Sequence, residues 1–348
     1  MIEAGSYTRG HIEKLARGRR VDRQIVERSV FALGLLEALV RVGTPMRFKG
    51  GSSLMLLLEE PMRLSTDIDV VVPPGTDMGT YLEEAAQIFP FKHEEEQVRR
   101  GRNGIVKRHF KFFYDSPLAD REFHILLDVL FEDDHYARIE ARPIAGTLLL
   151  QDGTPPVEIE MPTADCILGD KLTAFAPHTT GIPLGVGKDL EVVKQMYDVA
   201  TLVDASSDFR DAVGTFGATV SSELSYRGLN VGREDVLMDS IEAAACIASR
   251  GRHNKEEYPL YLAGIRSIVG HVFGERFSAE RAVRSACKAM YAAASVLTDQ
   301  GSLTLVDDPS PYLGENVSGS RYADLSRLRR LDPVAFAYLV KSVRLIDG

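Results

Sequence analysis

The spacing of apolar residues divides the chain into two stretches of different character. In the first, helical and extended patterns alternate. From Val21 to Val42, the residues Ile25, Val26, Val30, Leu33, Leu36, Leu39 and Val40 recur at helical spacing and predict an amphipathic helix. Met46 to Lys49 reads as a short strand running into Gly50-Gly51, and Ser52 to Glu60 as a helix ended by Pro61. Ile68 to Val72 is a β-branched strand stopped by Pro73-Pro74-Gly75, and Thr80 to Phe89 suits a helix. Strands are expected at His93 to Val98 and Gly104 to Tyr114, joined by a hairpin turn at Arg99 to Asn103. Phe123 to Phe131 is an apolar strand, and shorter strands are expected at Gly146 to Leu150 and Val157 to Ile159. A helix capped by Thr163 follows, then a turn-rich loop from His178 to Gly187 and a helix from Leu190 to Val203.

Beyond Ser206 the extended patterns stop. Ala212 to Tyr226, Glu234 to Ser249, Tyr258 to Phe273, Ala279 to Leu297 and Pro333 to Val343 all carry helical periodicity. The expected organisation is an α+β domain over residues 1–205, a mixed β-sheet with flanking helices, followed by an α-helical bundle over 206–348.

Composition narrows the function. The 348 residues carry a net charge of −9, so no global basic field announces nucleic acid, and any polyanion contact has to be local. The stretch Arg99, Arg100, Arg102, Lys107, Arg108, Lys111 offers one such place, although a solvated hairpin tip has the same composition. Cys166, Cys246 and Cys287 lie far apart and suggest neither a disulfide framework nor a metal cluster. No apolar run approaches the roughly 20 residues needed to span a bilayer, and the N-terminus lacks a secretory pattern, so a cytoplasmic protein is expected. His109, His124 and His178 show no ligand spacing and receive no role at this level.

The chemistry concentrates in three places. Asp67 and Asp69 open a strand, where side chains at i and i+2 share a face, about 6–7 Å apart. Such a pair repels itself unless a cation lies between, and Mg²⁺ or Mn²⁺ suits carboxylate oxygens with positions left for phosphate and water. Upstream, Gly50-Gly51-Ser52 forms a strand-to-helix turn whose backbone can approach a phosphate closely. Asp128 interrupts the apolar strand Ile125 to Phe131, where a carboxylate needs a partner: a metal, or a neighbouring basic side chain.

Glycine-serine turn, helix, strand bearing Asp-x-Asp and later strand bearing a third Asp resemble the site of polymerase-β-type nucleotidyltransferases. Phe48 to Leu54 together with Arg63 to Asp69, and downstream Gly169 to Ala174, His178 to Pro183 and Lys194 to Asp198, resemble more narrowly the AbiEii toxins of type IV toxin–antitoxin and abortive-infection systems, relatives of the MenT tRNA-modifying toxins. The spacing from Ser52 to Asp67 is longer than that pattern, through the Glu59-Glu60-Pro61 turn. The resemblance implies metal binding and catalysis by Asp67, Asp69 and Asp128, and phosphate contacts from Gly50, Gly51 and Ser52. It further implies triphosphate neutralisation by Lys171, and nucleotide or acceptor contact by Lys194 and Asp198, which lie four apart on one helix face and also suit a plain surface pair. Lys188 and Asp189 offer a second basic-plus-acidic candidate without an assigned role. The implied activity is transfer of a nucleotide from an NTP to an RNA acceptor, tRNA foremost, by a toxin that a cognate antitoxin protein controls. A small hydroxylated acceptor, as for antibiotic nucleotidyltransferases, and a non-catalytic nucleotide- or partner-binding module are the competing readings.

Overall fold

The computed structural model describes residues 1–97 and 106–348. The expected Arg99 to Asn103 turn, with its three arginines, lies outside the described residues. The chain forms two compact units. The first comprises Met1–Asp134, Arg138–Thr163 and the returning segment Gly270–Arg276; the second comprises His135–Ala137, Ala164–Val269 and Phe277–Gly348. The division therefore falls at Thr163/Ala164, ahead of two helices that sequence pattern groups with the α+β part.

The first unit contains, in chain order, α1 (Arg9–Ala16), α2 (Arg23–Arg41), β1 (Arg47–Lys49), α3 (Leu54–Leu57), β2 (Asp67–Val72), α4 (Gly79–Ala86), β3 (Phe91–Glu96), β4 (Lys107–Asp115), β5 (Glu122–Phe131), β6 (Ile139–Pro143) and β7 (Glu158–Pro162). Five strands form a mixed sheet in the order β1-β2-β5-β4-β3, with β2 and β5 parallel and the other pairs antiparallel. Alternation gives this sheet two unlike faces. Phe48, Ile68, Val70, Phe110, Phe112, Tyr114, Ile125, Leu127 and Val129 form one, buried in a core shared with Val26, Val30, Phe31 and Leu33 of α2. The other face carries Lys49, Asp67, Asp69, Lys107, His109, Lys111 and Asp128, so the polar positions of these strands mark where the core ends. Asp22 caps α2 by accepting from the Gln24 amide at 2.8 Å.

Three local expectations change. The helix expected from Ser52 to Glu60 is a 3₁₀ turn, Gly51–Ser53, followed by the single turn of α3. No strand forms at Gly146 to Leu150. Leu148 and Leu149 are buried in a turn whose carbonyls bind the N-terminal segment: His11 Nε2 lies 2.9 Å from Leu148 O, and the Glu3 amide donates to Leu150 O at 2.8 Å. The partner of β7 is instead β6, a five-residue strand with no buried side chain, which sequence pattern does not mark.

The second unit consists of α5 (Ala164–Ala174), α6 (Asp189–Ala205), α7 (Phe209–Arg227), α8 (Arg233–Ser249), α9 (Tyr258–Ser267), α10 (Ala279–Leu297), α11 (Leu328–Leu331) and α12 (Pro333–Asp347). α10 is its central element, packing against α6, α8 and α12 through a buried face of Ala282, Ala286, Ala289, Met290 and Ala293. The helix expected through Phe273 ends at Ser267, and the following segment returns to the first unit. All three cysteines are free and buried. Among the described residues, no helix is long and apolar enough to cross a membrane.

Candidate active site

The polar face of the five-stranded sheet brings three of the sequence-predicted carboxylates together. Strand register places Lys49, Asp69, Asp128 and His109 side by side in one lateral row across β1, β2, β5 and β4. Neighbouring strands lie about 4.8 Å apart, so Asp69 and Asp128 are direct neighbours, and Asp67 lies one pleat repeat away on the same face. The parallel pairing of β2 with β5 produces this juxtaposition.

Each carboxylate has a cation beside it. Lys107 Nζ is 2.8 Å from Asp128 Oδ2, and His109 Nδ1 is 2.5 Å from Oδ1. Burial alone would raise the pKa of Asp128, but Lys107 and His109 outweigh it and hold the carboxyl below its ordinary value. An Arg28 guanidinium nitrogen is 3.8 Å from Asp67 Oδ1, and Lys49 stands in register with Asp69. The basic partner that an Asp in an apolar strand requires is thus present, as Lys107.

The glycine turn abuts the same carboxylates. Gly50 has φ 78° and ψ −165°, a conformation open to glycine, and a Cβ there would overlap the Asp69 carboxylate. A Cβ on Gly51 would meet the guanidinium of Arg63, which is buried behind the turn. Ser52 is fully buried; its hydroxyl donates to the Asp67 carbonyl and so ties the turn to the start of β2. Ser53 donates to the Gly50 carbonyl at 2.7 Å, closing the turn on itself.

Among the described residues no three His, Cys, Asp or Glu side chains converge tightly enough to hold a metal ion as they stand. The oxygen-only donor set of Asp67, Asp69 and Asp128 nevertheless has the chemistry of a Mg²⁺ or Mn²⁺ site. A cavity of about 450 Å³ opens at the opposite end of β2, among Val71, Val72, Glu132, Asp133, Asp134 and Glu160.

The other predicted residues lie in the second unit. Lys171 Nζ on α5 is 3.1 Å from Asp198 Oδ2 on α6 and donates to Gln195 Oε1 at 2.9 Å, with both charged side chains buried. Asp198 thus forms an ion pair with Lys171 across the two helices, a contact that helical spacing alone does not suggest. Asp189 accepts from the Gly185 amide at 3.2 Å and fixes the loop ahead of α6. Three histidines that received no role from sequence spacing have defined surroundings here. His109 touches Asp128, and His124 stands on the polar sheet face. His178 is clamped between Asp239 Oδ1 at 2.7 Å and Glu257 Oε1 at 2.9 Å, chiefly by the Asp239 hydrogen bond, which raises its pKa to about 9. Signals existed for the first two in the alternation of β4 and β5, but their partners depend on a register that no local pattern encodes.

The architecture agrees with a known structure. MenT4, the nucleotidyltransferase toxin Rv2826c of Mycobacterium tuberculosis H37Rv, superposes with a TM-score of 0.54 at 14% identity, covering 96% of this chain and 99% of that one. JHP933 from Helicobacter pylori gives a TM-score of 0.41 at 12% identity, covering 80% of this chain and 94% of that one. At these identities the MenT4 likeness establishes a nucleotidyltransferase fold. The family described as nucleotidyl transferase AbiEii toxin, type IV toxin–antitoxin system, matches residues 34–267, more than half of the chain. The chain belongs to that family and is a nucleotidyltransferase. No curated protein matches it in sequence.

Proposed function

We propose that this protein transfers a nucleotide from an NTP to an RNA acceptor, with tRNA the first candidate, using a divalent metal held by Asp67, Asp69 and Asp128. The observation that carries the reading is the lateral Asp69–Asp128 pair with Asp67 one repeat away, beside a glycine turn that could not admit a side chain. In this reaction an acceptor hydroxyl attacks the α-phosphorus, the bond to the β-phosphate breaks and pyrophosphate leaves. A bound Mg²⁺ or Mn²⁺ would supply charge neutralisation for the leaving phosphates and would orient the hydroxyl. Gly50, Gly51 and Ser52 bring backbone to the β- and γ-phosphates, and the buried Arg63 behind the turn adds positive potential. Lys49, Lys107 and Arg28 neutralise the carboxylates at rest and can turn to phosphate oxygens when substrate arrives. Asp128 helps activate the attacking hydroxyl. A nucleotide- or acceptor-contacting role for Lys171, Lys194 and Asp198 rests on the family resemblance alone.

The family's type IV toxin–antitoxin assignment supports action as a growth-inhibiting toxin with a cognate antitoxin. The test is incubation with α-labelled NTPs, Mg²⁺ and total RNA. Wild type is expected to label RNA, with the label lost on chelation and reduced at least about a hundredfold by Asp67→Ala, the scale of removing a transition-state contact. Equal labelling by Asp67→Ala, or labelling of small hydroxylated compounds but not RNA, would overturn the reading.

A further inference from the structure

Beside the carboxylates, the polar sheet face carries a row of aromatic rings outside the machinery described above. His93 on β3, Phe113 on β4 and His124 on β5 are lateral neighbours in the strand register. The His93 and Phe113 rings stack at 4.4 Å between centroids with planes 13° apart, and Phe113 meets His124 at 5.5 Å and 52°. Large rings on a sheet face away from the core usually gain cover, yet His93 is exposed and Phe113 and His124 are half-exposed. Along β5, His124, Leu126 and Asp128 share this face, and Leu126 is in register with Asp67. The row therefore ends one pleat repeat along β5 and one strand across from the Asp67 position, about 8 Å away on the diagonal.

The two ends of the row differ in charge. His93 Nδ1 lies 3.9 Å from Glu122 Oε1, which would repel a phosphodiester. The His124 end is the opposite: after burial, the positive charges of Lys111 and Arg28 are the main influences lowering its pKa. His124 thus favours its neutral form, with Lys111 and Arg28 acting on it more strongly than the Asp67 and Glu95 carboxylates. β2 begins only at Asp67, so the strand next to β5 does not extend to the His124 row.

We propose that an unpaired base of the RNA acceptor stacks on His124 as the next ring after Phe113, with its phosphate beside Lys111 and Arg28, so that the neighbouring nucleotide's hydroxyl is presented to the Asp67, Asp69 and Asp128 carboxylates. Stacked aromatic platforms flanked by cations are how proteins hold single-stranded nucleic acid with little dependence on sequence. The inference rests on the RNA-acceptor reading and adds the surface that positions that acceptor. His124 and Phe113 act here as positioning residues.

The test compares wild type with His124→Leu, His124→Phe and Phe113→Leu, using unfractionated tRNA and α-labelled NTPs. His124→Leu and Phe113→Leu are expected to raise the apparent KM for tRNA about tenfold, the loss of one base stack, while the KM for NTP stays within about twofold. The Kd for end-labelled tRNA without NTP should weaken by a similar factor. His124→Phe, which keeps the ring, should restore wild-type values, a rescue that a purely structural role would not show, and thermal melting checks that each variant is folded. Labelling of tRNA by wild type with an unchanged KM in His124→Leu would overturn the inference alone, as would failure of His124→Phe to rescue. Wild-type labelling of small molecules but not RNA would overturn the inference together with the function on which it rests.

Discussion

At the scale of single residues, the tightest constraint in the candidate site is Gly50. Its backbone sits where residues with a Cβ are strained by about 1–3 kcal/mol, and a methyl there also overlaps Asp69. Gly43 separates the two effects: its φ is 77°, and a Cβ would meet nothing within 4 Å. Both Gly50→Ala and Gly43→Ala should lower the melting temperature by a few degrees. Only Gly50→Ala should cut nucleotide labelling, by about a hundredfold, because only it displaces a carboxylate; equal activity in the two variants would remove Gly50 from the site. Asp67, Asp69, Asp128 and the glycines were legible from sequence because each breaks a local rule: paired like charges, a carboxylate in an apolar run, a turn without side chains. Lys107, His109 and Arg28 were not legible as their partners, since a lateral neighbour is set by strand register and by which helix crosses the sheet.

At the scale of elements, two contacts within the helical unit yield separable predictions. Lys171 and Asp198 join α5 to α6 as a buried ion pair. Asp198→Asn leaves an ammonium buried without its counter-charge and should cost about 3–5 kcal/mol in denaturant unfolding, whereas Lys171→Met with Asp198→Leu should recover most of it. A loss below about 1 kcal/mol in Asp198→Asn would show the pair to be solvated. His178 fixes the segment after α5 to Asp239 on α8, with Glu257 on its other ring nitrogen. Its pKa of about 9 when folded exceeds the ordinary histidine value near 6.5, so the folded chain binds the extra proton. Its contribution is present below about pH 6.5 and is lost as pH rises through 9. Melting temperature should therefore fall across that window in wild type and fall less steeply in His178→Gln, which melting curves at pH 6, 7.5 and 9 would measure. The long periodic elements, α2, α8 and α10, were readable because their apolar stripes exceed two turns. β6 was hidden because Ile139-Glu140-Ala141-Arg142-Pro143 is short, ends in proline and buries none of its side chains, and Leu148-Leu149 imitated a strand because buried leucines serve turns as well.

At the scale of the molecule, the compact units are not successive stretches of chain. Gly270–Arg276 leaves the helical sequence and completes the first unit. There Val272 bridges Arg63, the Leu64 amide donates to His271 O at 2.8 Å, and the Phe273 amide donates to Met62 O at 2.9 Å. The Asp22 amide, at the cap of α2, donates to Gly270 O at 3.0 Å, and Arg19 lies over the Phe273 ring at 3.9 Å. This segment therefore braces the stretch Met62–Leu64, which leads from the glycine turn to Asp67. A fragment of residues 1–205, the α+β domain that sequence pattern alone would define, retains Asp67, Asp69, Asp128 and the glycine turn but loses this brace. Removing the buried Phe273 ring alone removes contacts worth about 3–5 kcal/mol, before the backbone hydrogen bonds are counted. The 1–205 fragment should melt on the order of 10 °C below the full chain. In the full chain, Phe273→Ala should lower stability by about 3–5 kcal/mol and also weaken nucleotide labelling, because the loosened Met62–Leu64 stretch positions the start of β2. A fragment as stable and active as the full chain would show that the returning segment braces nothing, and that the sequence-defined boundary is the functional one.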